Sequence, residues 1–412
     1  MCTGKLDGTI LALGIEFVGG VFALIVVISA ILVCDISYDM YAPSLPEMCS
    51  YFGVSQTIVQ LTVSMNLFGS SVSGLFYGPL SDYHGRKPMM LLGILLFAIA
   101  SVGCCFANNV IVLIIFRFIQ GMGAGVAGVV GYAIVNDVYS GEESAKNLSF
   151  VNMVVALSPA IGPVIGSYVI AMGYGWRLIF VFMALGAAGL LLMLTLFKET
   201  IQNRLTKLDT VSVIKGYVAL LKNGRFLSFA LIQSLTIMWV WSSLANLPFI
   251  FMEGMHFPVK DYGYLVTISV ISYIIGTFVN RRLVGRVSIR NMIITGLVLI
   301  IIPDVIVIIC HPLYALTPLI IELIWVPSSF GIAFVTSNSM ALAFKEVDDK
   351  GTASAFLVFI QTVLGAFGIY VAGRFYNGTV IPVTILPIVC SVISIWLTMA
   401  VYKTTTGTQT TH

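Results

Sequence analysis

The chain has 412 residues, of which 58% are hydrophobic and 9% are charged, with a formal net charge of +3 and a mean hydropathy of +1.02. Soluble domains carry about 25% charged residues, so this composition excludes a water-soluble globular protein. The seven cysteines include no CxxC pair, and the four histidines lie in predicted loops or at the end of the chain. We therefore predict no disulfide framework and no metal site.

Apolar runs of about 20 residues, the length that crosses a bilayer as a helix, occur about twelve times. They lie at roughly 20–43, 56–77, 88–106, 110–136, 147–171, 177–197, 226–251, 262–280, 291–310, 317–342, 351–373 and 380–402. Several are separated by only a few residues, and only helices turn back so tightly while satisfying their backbone groups in lipid. The sequence therefore predicts an all-α membrane protein with twelve transmembrane helices, spans 1 to 12.

The basic residues predict the orientation of these spans. If the N-terminus is cytoplasmic, the inner segments hold 17 of the 21 Lys and Arg residues, the outer segments hold three, and Arg117 lies within span 4. Because cytoplasmic loops are enriched in Lys and Arg, we predict that both termini face the cytoplasm. The longest hydrophilic stretch follows span 6. It predicts six-helix bundles at 1–197 and 226–412, a cytoplasmic linker at 198–225, and a cavity between the bundles.

Two aspartates, Asp35 and Asp39, lie near the end of span 1, and a short polar loop is expected after Pro46. They are one helical turn apart, so about 6 Å separates them on one helix face. There the repulsion of two carboxylates is roughly 3 kcal/mol at an effective dielectric constant of about 20. A single charge at mid-membrane costs at least roughly 2.5–3.5 kcal/mol, and such residues are usually functional. We predict that this pair carries protons.

The loop after span 2 reads Gly78-Pro-Leu-Ser-Asp82-Tyr-His-Gly85-Arg86-Lys87-Pro88. Gly78 lets neighbouring helix ends approach closely, and Gly85 lets the chain turn. Asp82 can accept a hydrogen bond from a helix N-terminus, whereas Arg86 and Lys87 anchor the loop at the inner face. This pattern resembles the G-x-x-x-D-x-x-G-R-K signature of the major facilitator superfamily, which implies the fold of that family: two pseudo-symmetric six-helix bundles. A generic positive-inside loop would explain only the two basic residues.

Spans 4 and 5 carry two more motifs. Arg117-Phe-Ile-Gln120-Gly121 resembles the superfamily's R-x-x-Q-G motif, and the resemblance links Arg117 to proton coupling. Arg117 and Asp35 lie at similar predicted depths, so they can pair; the alternative is a structural clasp on backbone carbonyls. The run from Ser158 to Ser167 resembles an antiporter motif centred on Gly162-Pro163, where tight helix packing without mechanistic meaning is the alternative.

A more specific resemblance is to the bicyclomycin-resistance (Bcr/CflA) subfamily of drug:proton antiporters. It rests on Asp39-Met-Tyr-Ala-Pro-Ser-Leu-Pro46, Gly175-Trp-Arg177-Leu-Ile-Phe180, Asn246-Leu-Pro248-Phe249, Asn338-Ser-Met-Ala-Leu-Ala343 and Gly351-Thr-Ala-Ser-Ala355. It implies export of small organic molecules driven by the proton gradient, without a cofactor. The chain departs from the subfamily's A-x-V-R-D pattern at the inner end of span 4, where Asn136 stands in place of an arginine.

Polar and aromatic residues within the spans are candidates for lining the substrate cavity. They are Tyr38, Tyr41, Asn66, Gln120, Asn152, Gln233, Trp239, Trp241, Asn246, Glu322, Asn338 and Gln361. Aromatic surfaces suit flat or cationic organic molecules, but hydrogen bonding between helices, or a place in the interfacial belt, explains any one of these residues as well. Two acids, Asp304 and Glu322, either snorkel to the outer interface or, in the case of Glu322, face the cavity.

These observations predict a proton-coupled exporter of small organic molecules, monomeric, in a bacterial inner membrane. Its predicted partners are protons, a small-molecule substrate and the lipid bilayer, with no nucleic acid. Import of a metabolite such as a siderophore or an amino acid by proton symport is an alternative, and a non-transporting sensor or scaffold is another. The sequence contains no phosphate-binding loop and no arrangement of nucleophile and base, so we predict neither ATP as the energy source nor an enzyme.

Overall fold

The computed structural model describes residues 3–201, 204, 210–313 and 316–409, which form α-helices and no β-strand. Twelve of these helices have 20 or more residues: α1 (Thr3–Asp39), α3 (Gln56–His84), α4 (Arg86–Cys105), α5 (Val110–Val138), α6 (Gly141–Ala171), α7 (Arg177–Leu196), α9 (Gly224–Pro248), α10 (Val259–Leu283), α11 (Ile289–Cys310), α12 (Pro318–Lys345), α13 (Lys350–Arg374) and α14 (Ile381–Gln409). Two helices are short: α2 (Leu45–Phe52) and α8 (Thr210–Lys222).

Eleven of the long helices among the described residues are both long and apolar enough to cross a membrane. The twelfth is α3, whose 29 residues include Gln60, Thr62 and Asn66. These three side chains are fully buried, so the polarity of α3 is directed at neighbouring helices and not at lipid. The helix therefore fits the predicted second span, and the chain is a multi-pass membrane protein.

The long helices form two bundles of six. α1 and α3 to α7 pack on one another, as do α9 to α14. The principal contacts between the bundles join α3 to α13 and α6 to α10. α3 and α10 are the second long helices of their bundles, and α6 and α13 are the fifth. Each contact therefore joins the second helix of one bundle to the fifth helix of the other, as a pseudo-twofold axis between the bundles requires. The predicted fold class is confirmed.

The predicted division into 1–197, 198–225 and 226–412 stays a prediction. The linker includes 202–203 and 205–209, which lie outside the described residues. Within the linker, α8 is a helix that the sequence analysis does not predict. Its Tyr217 donates a hydrogen bond to the carbonyl of Leu75 on α3 (3.0 Å) and stacks on Phe356 of α13 with ring centroids 5.8 Å apart. The linker helix thus contacts both bundles at the predicted inner end.

The two bundles meet at the end that the charge distribution assigns to the outside. Thr57 on α3 donates to the carbonyl of Gly373 on α13 (3.1 Å), and Thr267 on α10 donates to the carbonyl of Ala160 on α6 (3.3 Å). All four residues lie within about a dozen residues of the predicted outer ends of helices that are 25 to 31 residues long. The molecule is therefore closed at its predicted outer end.

The expected polar loop after Pro46 is wrong, because residues 45–52 form α2. Leu45, Pro46 and Met48 are buried, so this segment is part of the packed outer end. Pro46 lies in the first turn, where a helix loses nothing from the missing N–H. The helix ends at Gly53, whose φ of 62° is the left-handed conformation that favours glycine.

Candidate functional site

Asp39 is the last residue of α1 and is 7% exposed. Its Oδ2 accepts a hydrogen bond from Ser158 Oγ on α6 at 3.1 Å. Two glycines of the predicted antiporter motif hold α6 against this end of α1: a Cβ added at Gly162 would lie 2.5 Å from the Cβ of Asp39, and one added at Gly166 would overlap the carbonyl oxygen of Met40. The Gly162-Pro163 motif therefore determines how closely α6 encloses the Asp39 carboxyl.

Asp35 lies one turn earlier on α1 and is partly exposed. Tyr38 and Tyr132 lie near it, and Tyr132 donates a hydrogen bond to Asn152 Oδ1 at 2.7 Å. Tyr38 also packs edge-on against Trp241 of the other bundle, with ring centroids 5.8 Å apart. The structure therefore brings together four predicted residues, Asp35, Tyr38, Asn152 and Trp241, below the closed outer end.

Arg117 is completely buried within its bundle. Its Nε donates to the carbonyl of Thr62 (3.3 Å), its Nη1 donates to Gln120 Oε1 (2.6 Å), and the guanidinium lies 4.3 Å from the ring centroid of Tyr41. None of the ion pairs found within the described ranges joins Arg117 to a carboxylate, and its Nη2 has no hydrogen-bond partner. In this conformation Arg117 does not pair with Asp35, and its contacts are those of the clasp alternative.

Four other predicted cavity residues form hydrogen bonds between helices of their own bundle. Asn66 Nδ2 donates to the carbonyl of Arg117 at 2.9 Å, and Asn338 Nδ2 donates to Asn280 Oδ1 at 2.7 Å. Gln233 Nε2 donates to Gln361 Oε1 at 3.4 Å. These contacts hold neighbouring helices of one bundle together. The hydrogen bonds of Asn66, Asn338, Gln233 and Gln361 all stay within one bundle.

The two unexpected acids do not snorkel. Asp304 is fully buried and its Oδ1 accepts from Trp325 Nε1 at 2.9 Å. Glu322 is 1% exposed and its Oε2 accepts from Ser269 Oγ at 2.8 Å. Trp325 packs edge-on against the predicted cavity residue Trp239, with ring centroids 6.4 Å apart. Both carboxyls are therefore inside the second bundle, each held by a single hydrogen bond.

The glycine-rich loop after α3 forms an ionic network at the predicted inner end. Gly85 has a φ of 109°, which only glycine adopts readily, and it places Arg86 at the start of α4. Arg86 forms an ion pair with Asp82, and its Nε donates to Asp137 Oδ2 at 2.8 Å. Glu199 accepts from the backbone N–H of Arg86 at 2.9 Å.

Lys87 and Gly78, the other two predicted residues of this loop, contact neighbouring helices. Lys87 Nζ donates to the carbonyl of Thr195 at 3.1 Å, and Gly78 faces Val129 of α5. Asp137 and Glu199 were not predicted as members of the network, although both are acids at the predicted inner end of a span. Asn136, where the subfamily pattern has arginine, accepts from Ser144 Oγ at 2.7 Å instead of joining the network.

A polar latch, formed by Gln56, Gln60 and Asn246, joins the bundles at the closed outer end. Gln60 Nε2 on α3 donates to Asn246 Oδ1 (2.8 Å) and to the carbonyl of Ala245 (3.0 Å) on α9, and Gln56 Nε2 donates to the same Asn246 oxygen at 3.2 Å. Asn246 was predicted as a cavity residue and the glutamines were not. A signal was present in the sequence: polar residues recur along α3 in a membrane-spanning helix.

We expect the variant Gln60→Leu to weaken the closed state of the outer end. It removes two hydrogen bonds between the bundles, each worth on average about 0.6 kcal/mol in membrane proteins, so the closed state should become roughly three- to tenfold less populated. The measurement is the distance between spin labels on cysteines at Tyr174 and Phe375, which are exposed at the outer ends of the two bundles, in a background without native cysteines.

Thr277→Val is the matched control for this prediction, because Thr277 bonds only to the carbonyl of Tyr273 on its own helix. The distance distribution of the control should equal that of the parent protein. An unchanged distribution in Gln60→Leu would mean that the latch does not hold the bundles together.

Comparison with known proteins agrees with this architecture. The profile of the Major Facilitator Superfamily matches residues 18–369. The multidrug resistance protein MdtL of Shewanella oneidensis is 30% identical over 376 residues, which cover 89% of this chain and 92% of MdtL. The bicyclomycin resistance protein homolog of Haemophilus influenzae is 26% identical over 369 residues, which cover 87% of this chain and 90% of the relative.

Solved structures agree on the fold. The xylose transporter XylE from E. coli, in a partially occluded inward-open conformation, superposes with a TM-score of 0.71 at 15% identity, covering 92% of this chain and 97% of XylE. Such low identity shows the fold alone. The matched family profile spans most of the chain, and both bundles and the loop signature are present in the structure. The chain therefore belongs to the major facilitator superfamily and is a membrane transporter of small molecules, not an enzyme.

Proposed function

We propose that the protein exports small organic molecules in exchange for protons, by alternating access, from a bacterial inner membrane with both termini in the cytoplasm. The observation that carries this proposal is Asp39, a buried carboxyl that accepts a hydrogen bond from the neutral hydroxyl of Ser158 on α6, the helix of the same bundle that packs against α10 of the other bundle. A carboxylate buried without a cation costs several kcal/mol, so closure of the outer end favours its neutral form. The relatives named for resistance to drugs support export as the direction.

The proposed orientation makes this structure a state that is closed to the outside. The 17 basic residues of the predicted inner segments then lie in the cytoplasm, as the positive-inside rule requires. The predicted outer end, where Gln60 meets Asn246, is closed. The partly exposed Asp35 lies below that closure, on the side from which a substrate would enter.

The two aspartates have different roles in the proposed cycle. When the outer end opens, Asp39 is reached by protons from outside, and its protonation allows the seam to close around it. Asp35 lies a turn deeper and is partly exposed, so it passes the proton to the cytoplasmic side and attracts a cationic substrate. Arg117 keeps α3 and α5 together through Thr62 and sets the positive potential near Tyr41, without an ion pair.

The test uses purified monomeric protein in proteoliposomes, with tetraphenylphosphonium and a mixed panel of organic cations and neutral drugs as probes. An exporter exchanges at least one probe for protons, so a pH gradient of one unit should support a concentration ratio of up to about tenfold, or about 1.4 kcal/mol, for each proton exchanged per probe molecule. The internal and external pH and the radiolabelled probe are measured together. Co-transport of a labelled amino acid or siderophore with protons in the same direction would establish the importer alternative instead.

A further inference from the structure

The second bundle contains a buried carboxyl that the proposed cycle does not yet use. Glu322 lies one turn inside the predicted outer end of α12 and is 1% exposed. Ser269 Oγ on α10 donates to its Oε2 at 2.8 Å, and none of the ion pairs recorded for the described chain includes it. Its environment therefore has the same two features as that of Asp39: a serine hydroxyl as donor and no cation.

Tyr262 on α10 lies near both of these carboxyls, beside the seam between the bundles. It is fully buried, and its hydroxyl has no hydrogen-bond partner. The next residue, Gly263, explains why Tyr262 can lie at the seam: a Cβ added there would lie 2.5 Å from Val164 Cα on α6. The helices of the two bundles thus approach almost backbone to backbone beside Tyr262.

We propose that Glu322 is a second proton-carrying carboxyl, linked to Asp39 across the bundle interface: Ser158 joins Asp39 to α6, α6 packs against α10 at Gly263, and Ser269 joins α10 to Glu322. The inference rests on the proposed proton-coupled function. When the outer end closes, α6 meets α10 and both carboxyls lose access to water, so each favours its neutral form for the same reason. When the outer end opens, the seam at Gly263 separates and both carboxyls are exposed to the outside together. Closure is thereby linked to the uptake of two protons.

No charged group on the helices packed against α12 offsets Glu322 within the part of the chain that the structure describes. On α10, Tyr262 is the titratable neighbour, whereas Lys260 and Asp261 are exposed at the helix start. On α11, Asp304 is bonded to Trp325. The charges of α9 and α13 are at their ends: Arg225, Lys350 and Arg374.

The experiment follows the outer-end label pair at Tyr174 and Phe375 as a function of pH in nanodiscs without substrate. Each proton taken up on closure changes the closed-to-open ratio tenfold per pH unit, so two protons change it about a hundredfold. We expect the closed-to-open ratio to change about a hundredfold per pH unit in the parent protein and about tenfold in Glu322→Gln. This substitution keeps the shape of the side chain and the hydrogen bond from Ser269. Glu322→Asp should restore the steeper dependence.

Asp304→Asn is the matched control, since it neutralises another buried acid of the same bundle, one whose hydrogen bond comes from Trp325 on α12 and not from α10. Its pH dependence should equal that of the parent. If the closed-to-open ratio of Glu322→Gln depends on pH as steeply as that of the parent, Glu322 is not the second proton carrier. The proposed function would then remain intact. A parent protein without pH dependence, whose transport also ignores a pH gradient, overturns the proposed function itself.

Infrared spectra of the parent protein provide a test that needs no substitution of Glu322. With ¹³C-labelled glutamate, the C=O stretch of a protonated glutamic acid should appear as the label pair reports closure, and no such band should appear while the outer end is open. Closure without this band would contradict the proposal even if Glu322→Gln failed to fold.

Discussion

Replacing Asp39 with asparagine is expected to abolish proton-driven transport while leaving the protein folded. Asparagine has nearly the shape of a protonated aspartic acid, and its Oδ1 can accept the same hydrogen bond from Ser158. The buried site therefore stays satisfied, but it no longer gains or loses a proton. In proteoliposomes with a pH gradient of one unit, the parent should reach a concentration ratio of about tenfold per proton exchanged for tetraphenylphosphonium, or for whichever panel compound it transports. In Asp39→Asn this ratio should fall to about one.

Asp261→Asn provides the matched control, because Asp261 is exposed in the first turn of α10. The control should concentrate the probe as the parent does, and both variants should elute from a sizing column as the parent does. Asp35→Asn should reduce the rate without removing the proton-driven gradient, since Asp35 is partly exposed and is not enclosed at the seam. Undiminished accumulation by Asp39→Asn would show that its proton is not the coupled one.

Hydropathy alone was enough to predict the twelve long helices. The reason is physical: lipid offers no partners for backbone groups, so an apolar run of sufficient length has little choice but to be a helix. The segment after Pro46 was predicted wrongly because its eight residues are too short for this argument. Its burial depends on contacts that form only when the helices assemble.

The sequence was enough to predict which residues are candidates for the site, but not which of them contact one another. Arg117 and Asp35 were matched by depth, but depth does not give the rotation of a helix about its axis, and α5 turns the guanidinium toward Thr62 and Gln120. Gln60 and Asn246 are 186 residues apart in sequence, so no local pattern connects them. Tyr262 near a helix end has the pattern of an interfacial aromatic residue, and only the packed structure shows it fully buried beside the seam.

Replacing Gly166 with alanine is expected to disrupt the closed outer end more strongly than loss of the polar latch. In most helix positions this substitution is stabilising by about 1 kcal/mol, because alanine has the higher helix propensity. At Gly166 the added Cβ would overlap the carbonyl oxygen of Met40, which is backbone and has no rotamer with which to avoid the clash. α6 must therefore move away from α1, which also opens the enclosure of Asp39.

Overpacking of this kind costs about 1–3 kcal/mol, so the closed state should become roughly 5- to 150-fold less populated, and exchange of the probe for protons should slow by a similar factor. Gly189→Ala is the matched control, since nothing lies within 4 Å of a Cβ added at that position on α7. The control should transport as the parent does and be at least as stable to heat. If Gly166→Ala shows the parent's outer-end distances and transport rate, the contact between α6 and Met40 is not required for closure, and the enclosure of Asp39 must depend on Ser158 and Gly162 instead.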